Sequence, residues 1–484
     1  MKKTFSLLFM ALAVLAFSPA CGKTDTPPEE QQPEEKPEDK PEETPEEKPE
    51  QPDLQPFTFS CTPGSDKLIF SGKPVFTLHL ENPNAVAAPA EIRFAISTDK
   101  SKKIPTIEFT REVAANSTAD ITLTTEENLE PGFYKVTGKV NSKSFLSAVP
   151  FGVDPFQIVS APDKADDFAA YWDAALAQLE AVDMNASFTP TKRSGTYMVS
   201  LQSIPDGLEG EPMTIRAYYI EPAQDGKKHP AIVHYYGYDD FPGTSMLELP
   251  SGDASFAHLW LSTRGQRINA RAASLRQDGI AQDFENPYSI QWFTVNFGNP
   301  DSYYYRGAYM DCVQGIRFLA LCEDEKVKGR IDMDNVFVEG MSQGGAFSYA
   351  AAALSKQYPV KAVSAAVAFM GDFPDYFTIV PNEGGGFPGM AQNCKKQLGW
   401  TDDQMYAFMS YYDTKNLATQ VSCPIIACIG LKDNICPPHT NIAPYNNALS
   451  SDKEMYFYPD MGHFSPWPSD WEGKFAAFFK ARIN

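Results

Sequence analysis

Asn335-Val336-Phe337-Val338-Glu339-Gly340-Met341-Ser342-Gln343-Gly344-Gly345-Ala346 is the stretch that decides how this chain is read. An apolar run ends in Gly-x-Ser-x-Gly, and an alanine-rich run from Ala346 to Lys356 follows it. The spacing predicts a strand, a sharp turn and a helix, with Ser342 held at the turn in a strained backbone conformation. Glycine is needed on both sides because side chains there would run into the strand and the helix. Gly-x-Ser-x-Gly alone is a weak pattern, and the plainer alternative is a structural serine in a glycine-rich turn. The strand–turn–helix setting favours a nucleophilic serine.

Outward from this turn, strand-like and helix-like runs alternate. Thr214–Ile220, Ala231–Tyr235, Asn335–Val338, Val360–Phe369, Pro424–Gly430 and Glu454–Tyr458 read as strands. Tyr309–Cys322, Ala346–Gln357, Asp403–Ser410, Ile442–Leu449 and Asp470–Lys480 read as helices, and an opening helix over Asp163 to Val182 carries Phe168, Trp172, Ala175, Leu176 and Leu179 on one face. Such alternation predicts a parallel sheet covered on both faces, an α/β domain over 154–484. Before it, residues 57–153 show six short apolar or alternating runs between turn-rich pieces, the signature of an immunoglobulin-like β-sandwich. That unit is expected to serve as a spacer or packing partner, with a carbohydrate-binding module as the alternative.

A serine hydroxyl needs a base to take its proton and an acid to orient that base. In α/β-hydrolases the chain order is Ser, then Asp or Glu, then His. Only His439 and His463 follow Ser342. His463 lies just past the Glu454–Tyr458 run and before the last helix, where this fold delivers its base. His439 follows two prolines and is expected at the surface. Asp433, leaving the Pro424–Gly430 run, is the expected acid, with Asp372 and Asp460 as alternatives. The oxyanion is expected to meet the backbone N–H of Gln343 and that of Tyr238, in the loop Tyr236-Gly237-Tyr238.

The N-terminus reads as an export signal over 1–21: Lys2 and Lys3 precede the apolar run Phe5 to Phe17, and Ser18-Pro19-Ala20-Cys21 resembles a bacterial lipoprotein cleavage box. Residues 22–56 hold thirteen Asp/Glu, four Lys and nine Pro without an aromatic residue. They cannot bury a core and suit an extended tether from a lipid on Cys21. The expected location is the bacterial cell envelope, lipid-anchored to the outer membrane. The whole chain carries a net charge of −21, which argues against nucleic acid as a partner. Eight cysteines show no metal-site or disulfide spacing, and Cys312, Cys322, Cys423 and Cys428 read as small core residues.

Several motifs in order resemble the acetyl xylan esterase and cephalosporin-C deacetylase family. They are the Ser342 turn, Thr263-Arg264-Gly265-Gln266, Tyr303-Tyr304-Tyr305-Arg306-Gly307, and Gly430-Leu431-Lys432-Asp433-Asn434-Ile435-Cys436-Pro437-Pro438. The likeness runs from about residue 160 to 484. It implies an α/β-hydrolase domain with Ser342 as nucleophile, Asp433 as acid and His463 as base, and with Arg264 and Gln266 bracing the site. It also implies acetylated sugar hydroxyls as substrate, no metal or other cofactor, and ring-like homo-oligomers. Two departures stand out. Phe464 follows the expected base where the family usually has Glu. The segment from Ala272 to Phe297 is divergent, and its Phe284, Tyr288, Trp292 and Phe293 are open to two readings, substrate-pocket wall or loop packing. The rival functions are an α/β-hydrolase acting on other acyl esters or peptides, and a non-catalytic glycan-binding lipoprotein.

Overall fold

The computed structural model describes residues 54–238, 249–266, 268, 287–288, 291–380 and 386–483. The expected signal, Cys21, all but the last three residues of the tether and Phe284 lie outside them. Leu54–Asn484 forms one compact unit.

Its first part holds eight strands: β1 (Thr58–Pro63), β2 (Ile69–Phe70), β3 (Val75–Asn82), β4 (Ala88–Thr98), β5 (Ile107–Val113), β6 (Ser117–Thr124), β7 (Gly132–Val140) and β8 (Lys143–Val153). They make a three-stranded sheet, β1-β3-β6, and a five-stranded sheet, β2-β8-β7-β4-β5. Buried and exposed residues alternate along β4, as they must where one face of a sheet meets a core and the other meets water. The two inner faces meet at Phe76 of β3, whose ring centroid lies 5.7 Å from Phe94 and 6.1 Å from Phe151 on the opposite sheet.

The second part is built on β9 (Ser187–Pro190), β10 (Thr196–Ser203), β11 (Met213–Ile220), β12 (His229–Tyr235), β13 (Ala257–Ser262), β14 (Ile331–Met341), β15 (Ala362–Ala366), β16 (Ile425–Gly430) and β17 (Lys453–Tyr458). They form one nine-stranded sheet in the order β17-β16-β15-β14-β12-β13-β11-β10-β9. The expected parallel sheet is mixed. β13, β12 and β14 to β17 are parallel, but β9, β10 and β11 join antiparallel, and β11 runs antiparallel to β13. The reason is local: β9, β10 and β11 follow one another through short connections with no crossover helix, and such connections can only reverse the chain.

Nine helices stand out among the described residues: α1 (Phe168–Glu180), α2 (Tyr304–Leu321), α3 (Gln343–Leu354), α4 (Phe373–Ile379), α5 (Gly386–Leu398), α6 (Asp402–Met409), α7 (Thr414–Ala418), α8 (Pro438–Asn447) and α9 (Trp471–Lys480). Strand alternation sorts the faces. Val336 and Val338 of β14 join the core that holds Phe347 of α3, whereas Phe337 turns the other way and stacks on Phe479 of α9 at 4.6 Å. Trp172, 1% exposed, anchors α1 through its indole N–H, which donates to the Tyr411 carbonyl at 3.2 Å.

β12 has β13 on one side and β14 on the other, so the chain order reverses there. A crevice at the carboxyl ends of the strands is the usual ligand position in such sheets. Five residues expected at the esterase site follow the end of a strand at that edge: Tyr238 after β12, Gln266 after β13, Ser342 after β14, Asp433 after β16 and His463 after β17. The strand expected over Val360–Phe369 stops at Ala366, because Val367, Met370 and Asp372 take positive φ (40°, 64° and 52°) and carry the chain across the site.

Candidate active site

Ser342 sits between β14 and α3 with φ 59° and ψ −121°, a region that costs a non-glycine residue free energy unless its surroundings fix it. Its N–H donates to the Ala366 carbonyl at 2.9 Å, and its own carbonyl accepts from Phe369 N–H at 3.0 Å. The glycines make the crossing possible. A Cβ on Gly340 would lie 2.4 Å from the Gly344 carbonyl carbon, and one on Gly344 would lie 2.1 Å from the Tyr235 carbonyl oxygen.

The structure brings Ser342, His463 and Asp433 together in one row. Ser342 Oγ is 2.9 Å from His463 Nε2, and Asp433 Oδ2 is 2.8 Å from His463 Nδ1. Asp433 and His463 are each 4% exposed. The second Asp433 oxygen accepts the backbone N–H groups of Ile435 and Cys436 at 2.9 and 2.8 Å, which aims Oδ2 at the imidazole. Neither alternative acid reaches His463: Asp460 is an exposed partner of Lys432 at 2.7 Å, and Asp372 pairs with Lys415 at 3.0 Å. Phe464 is exposed, with its ring edge-on to His463 at 4.5 Å between centroids.

The loop after β12 lies over the serine, since a Cβ on Gly237 would be 3.8 Å from Ser342 Cβ. Gln266 holds that loop: its Nε2 donates to the Gly237 carbonyl at 2.8 Å, while its Oε1 accepts Thr263 N–H at 2.9 Å. Tyr238 donates its hydroxyl to Gln291 Oε1 at 3.0 Å and packs against Trp292 and Phe387. The Gln343 side chain is fully buried and accepts the Tyr305 hydroxyl at 2.8 Å, which holds the first turn of α3 in place.

Arg264 is buried and forked onto Asp311, with Nε to Oδ2 at 2.9 Å and Nη2 to Oδ1 at 2.7 Å, and it reaches Asp206 at 2.8 Å. Burial alone would lower the guanidinium pKa, but the Asp311 carboxylate more than offsets that and holds it above its ordinary value. The Tyr303–Gly307 motif serves this brace. Tyr304 donates to the Arg264 carbonyl at 2.9 Å, and Gly307 clears space for the guanidinium, which a Cβ would approach to 1.9 Å.

Two expectations change. His439 is 8% exposed rather than on the surface, because Asp99 and Asp375 enclose it from both ring nitrogens. Of the divergent aromatics, Trp292 and Phe293 are fully buried, with Trp292 stacked on Tyr304, so these two pack the loop; Tyr288 is partly exposed and donates to Asp206 at 2.9 Å. Sequence reading missed Asp311 as the partner of Arg264 and Tyr305 as the partner of Gln343. Each pair is far apart in the chain, and a polar residue inside the apolar helix α2 was the available signal.

The profile of the acetyl xylan esterase (AXE1) family matches residues 157–476. The chain belongs to that family. It is a carboxylic ester hydrolase with an α/β-hydrolase-type body. It is 26% identical over 346 residues to the acetyl esterase Axe7A of Xylanibacter ruminicola, covering 69% of this chain and 72% of that protein. Acetyl xylan esterase 1 from Thermoanaerobacterium sp. JW/SL YS485 matches its fold with TM-score 0.51 at 24% identity, over 67% of this chain and 96% of that one. The acetyl xylan esterase from Paenibacillus sp. R4 does so with TM-score 0.53 at 24% identity, over 68% and 98%. The family match begins only after β8, so the two-sheet part stands outside it.

Two glycine substitutions separate the crossing from the rest of the fold. Gly344→Ala is expected to cost about 3 kcal/mol or more, because backbone must move to admit the methyl group. Gly473→Ala in α9, where nothing lies within 4 Å, is expected to stabilise by about 0.4–1 kcal/mol. Urea unfolding of both variants reads the difference, and equal effects would contradict the account of the turn.

Proposed function

We propose that this protein is a serine esterase that removes acetyl groups from sugar hydroxyls, on xylan or other plant-polysaccharide fragments. The observation that supports it most is the unbroken Asp433–His463–Ser342 hydrogen-bond row at the end of β14. Ser342 Oγ attacks the acetyl carbonyl carbon while His463 Nε2 takes the hydroxyl proton. Asp433 keeps the proton on Nδ1 and stabilises the imidazolium that forms. The Gln343 and Tyr238 amides receive the oxyanion, a contribution of about two to three orders of magnitude per donor. The tetrahedral intermediate collapses, the carbon–oxygen bond to the sugar breaks, and His463 returns its proton to the leaving sugar oxygen. Water then attacks the acetyl-enzyme with His463 as base, acetate departs, and Ser342 recovers its proton. Each of these steps uses this chain's own side chains and amides.

The same reading places the enzyme in the bacterial cell envelope. A lipid on Cys21 and the acidic Pro/Glu-rich stretch 22–56 would anchor it to the outer membrane and hold the body away from the surface. The two-sheet part, 57–153, is read as an immunoglobulin-like domain in front of a hydrolase domain over 154–484. Its support is the pair of facing sheets and Tyr134, which donates to the Glu130 carbonyl at 2.6 Å as a tyrosine corner does. Self-association of the esterase body rests on the family resemblance alone.

Two experiments test this. The full chain is expected to hydrolyse p-nitrophenyl acetate faster than the butyrate and far faster than the octanoate. Ser342→Ala should lose about four orders of magnitude or more in kcat. Equal rates for wild type and Ser342→Ala, or a preference for octanoate, would overturn the assignment. For the anchor, metabolic labelling with a radioactive fatty acid should mark the wild type and not Cys21→Ala; label on both would refute lipidation at Cys21.

A further inference from the structure

His439 lies in the first turn of α8, six residues after Asp433, and its burial is unexplained by the ester chemistry. Its Nδ1 is 3.1 Å from Asp99 Oδ2, in the turn that leaves β4 of the two-sheet part, and its Nε2 is 2.7 Å from Asp375 Oδ2 on α4. Lys100, next to Asp99, pairs with the other Asp375 oxygen. One imidazole and one carboxylate of the esterase body are thus held by two adjacent residues of the N-terminal part.

The segment between His439 and Asp433 is stiff. Pro437 and Pro438 fix it, the Cys436 N–H donates to Asp433, and Asn441 Nδ2 donates to the Cys436 carbonyl at 2.8 Å. α8 also touches the loop that crosses Ser342: a Cβ on Gly371 would lie 2.2 Å from the Thr440 carbonyl oxygen. Further along the same helix, Asn446 Nδ2 donates to the Pro155 and Ile158 carbonyls at 3.1 and 3.0 Å, so the connection from β8 is fastened to α8 as well.

We propose that His439 is a positioning residue for the esterase, clamped between Asp99 and Asp375, through which the N-terminal sheets hold α8 and the Asp433 loop in register. This rests on the reading of Asp433 as the triad acid. The two-sheet part is then a working component of the site and more than a spacer. A carboxylate displaced by a fraction of an ångström leaves the imidazole misaimed, and small misplacements of that kind reduce turnover far more than substrate affinity.

Charge supports the clamp. The ionisable groups around His439 are Asp99 and Lys100 from the N-terminal part, Asp375 on α4, Asp372 before it, and Lys415 on α7, which neutralises Asp372. Burial works against the charged imidazole, but the Asp375 carboxylate beside Nε2 and the hydrogen bond to Asp99 outweigh it and raise the pKa to about 9. The Asp375 carboxyl is lowered to about 2: burial alone would raise it, and His439 and Lys100 overcome that. A folded value above the ordinary histidine range means the clamp is complete below that range and is lost as pH rises through about 9. Asp372, Asp375 and His439 also bring a ligand atom each within 4.8 Å of one another, but Lys100 and Lys415 already supply positive charge to both carboxylates, which favours an ion network over a metal site.

The test measures p-nitrophenyl acetate turnover by the full chain as wild type, His439→Gln, Asp99→Asn, Asp99→Glu and the double variant His439→Gln/Asp99→Asn. His439→Gln and Asp99→Asn are expected to lose about tenfold or more in kcat with KM within about twofold. The double variant should be no worse than the poorer single one, because both remove one coupled contact. Asp99→Glu should recover part of the loss. Wild-type kcat should fall as pH rises toward about 9, and that limb should be missing in His439→Gln. Melting temperatures, recorded with and without zinc or EDTA, separate misplacement from unfolding. Folded variants with wild-type kcat, or a wild-type alkaline limb unchanged in His439→Gln, would overturn the clamp. So would stabilisation by zinc or inactivation by EDTA, which would make the cluster a metal site. An active wild type with unaffected variants sinks this inference alone, whereas an inactive wild type sinks the esterase reading and this inference with it.

Discussion

Among the described residues, the tightest approach of backbone to backbone at a glycine is the passage of the β14–α3 turn against the end of β12. Gly344 lies so near the Tyr235 carbonyl that no side chain fits, and Gly340 lies almost as near to Gly344. That proximity forces Ser342 into positive φ and lifts its hydroxyl above the sheet edge. The neighbouring segments follow from it. The loop after β15 must cross beside the serine and takes three positive-φ residues to do so, and the loop after β12 must close over it, which Gln266 secures from the next strand. The buried Arg264–Asp311 fork then fixes the backbone from which Gln266 reaches. Removing one member of such a buried pair leaves an uncompensated charge, so the brace is stiff in both directions.

The candidate site is legible in the sequence to the extent that it obeys chain order. Ser342, Asp433 and His463 each follow an apolar run that becomes a parallel strand, and each stands at the carboxyl end where the fold gathers its chemistry. What was not legible depends on partners distant in the chain. His439 looked like a loop residue because nothing near it in sequence explains its burial; Asp99, its partner, is 340 positions away. Asp311 and Tyr305 sit in an apolar helix, and only the folded contact shows why a carboxylate and a phenol belong there. The sheet direction failed for a different reason. β9, β10 and β11 are short runs whose alternation does not encode whether the neighbour runs with them or against them, and only the connection length decides that.

The two-sheet part gains meaning from this distinction. Its core is made of its own aromatic residues, such as Phe76, Phe94 and Phe151, yet its charged turn meets α8 through Asp99 and α4 through Lys100. A part that served only as a spacer would have no need of a partly buried ion network at those helices. The family core supplies the chemistry, and the N-terminal part is fastened where it can influence the geometry of that chemistry.

Ser342 is expected to become covalently acylated during ester hydrolysis. Acid quenching of the full chain within the first turnovers of p-nitrophenyl acetate, followed by mass spectrometry of the peptide that spans β14 and α3, tests it directly. One added acetyl group is expected on Ser342, absent in Ser342→Ala and accumulating further in a variant slow to deacylate. Turnover with no acetyl group on that peptide, or with the group on another residue, would contradict it.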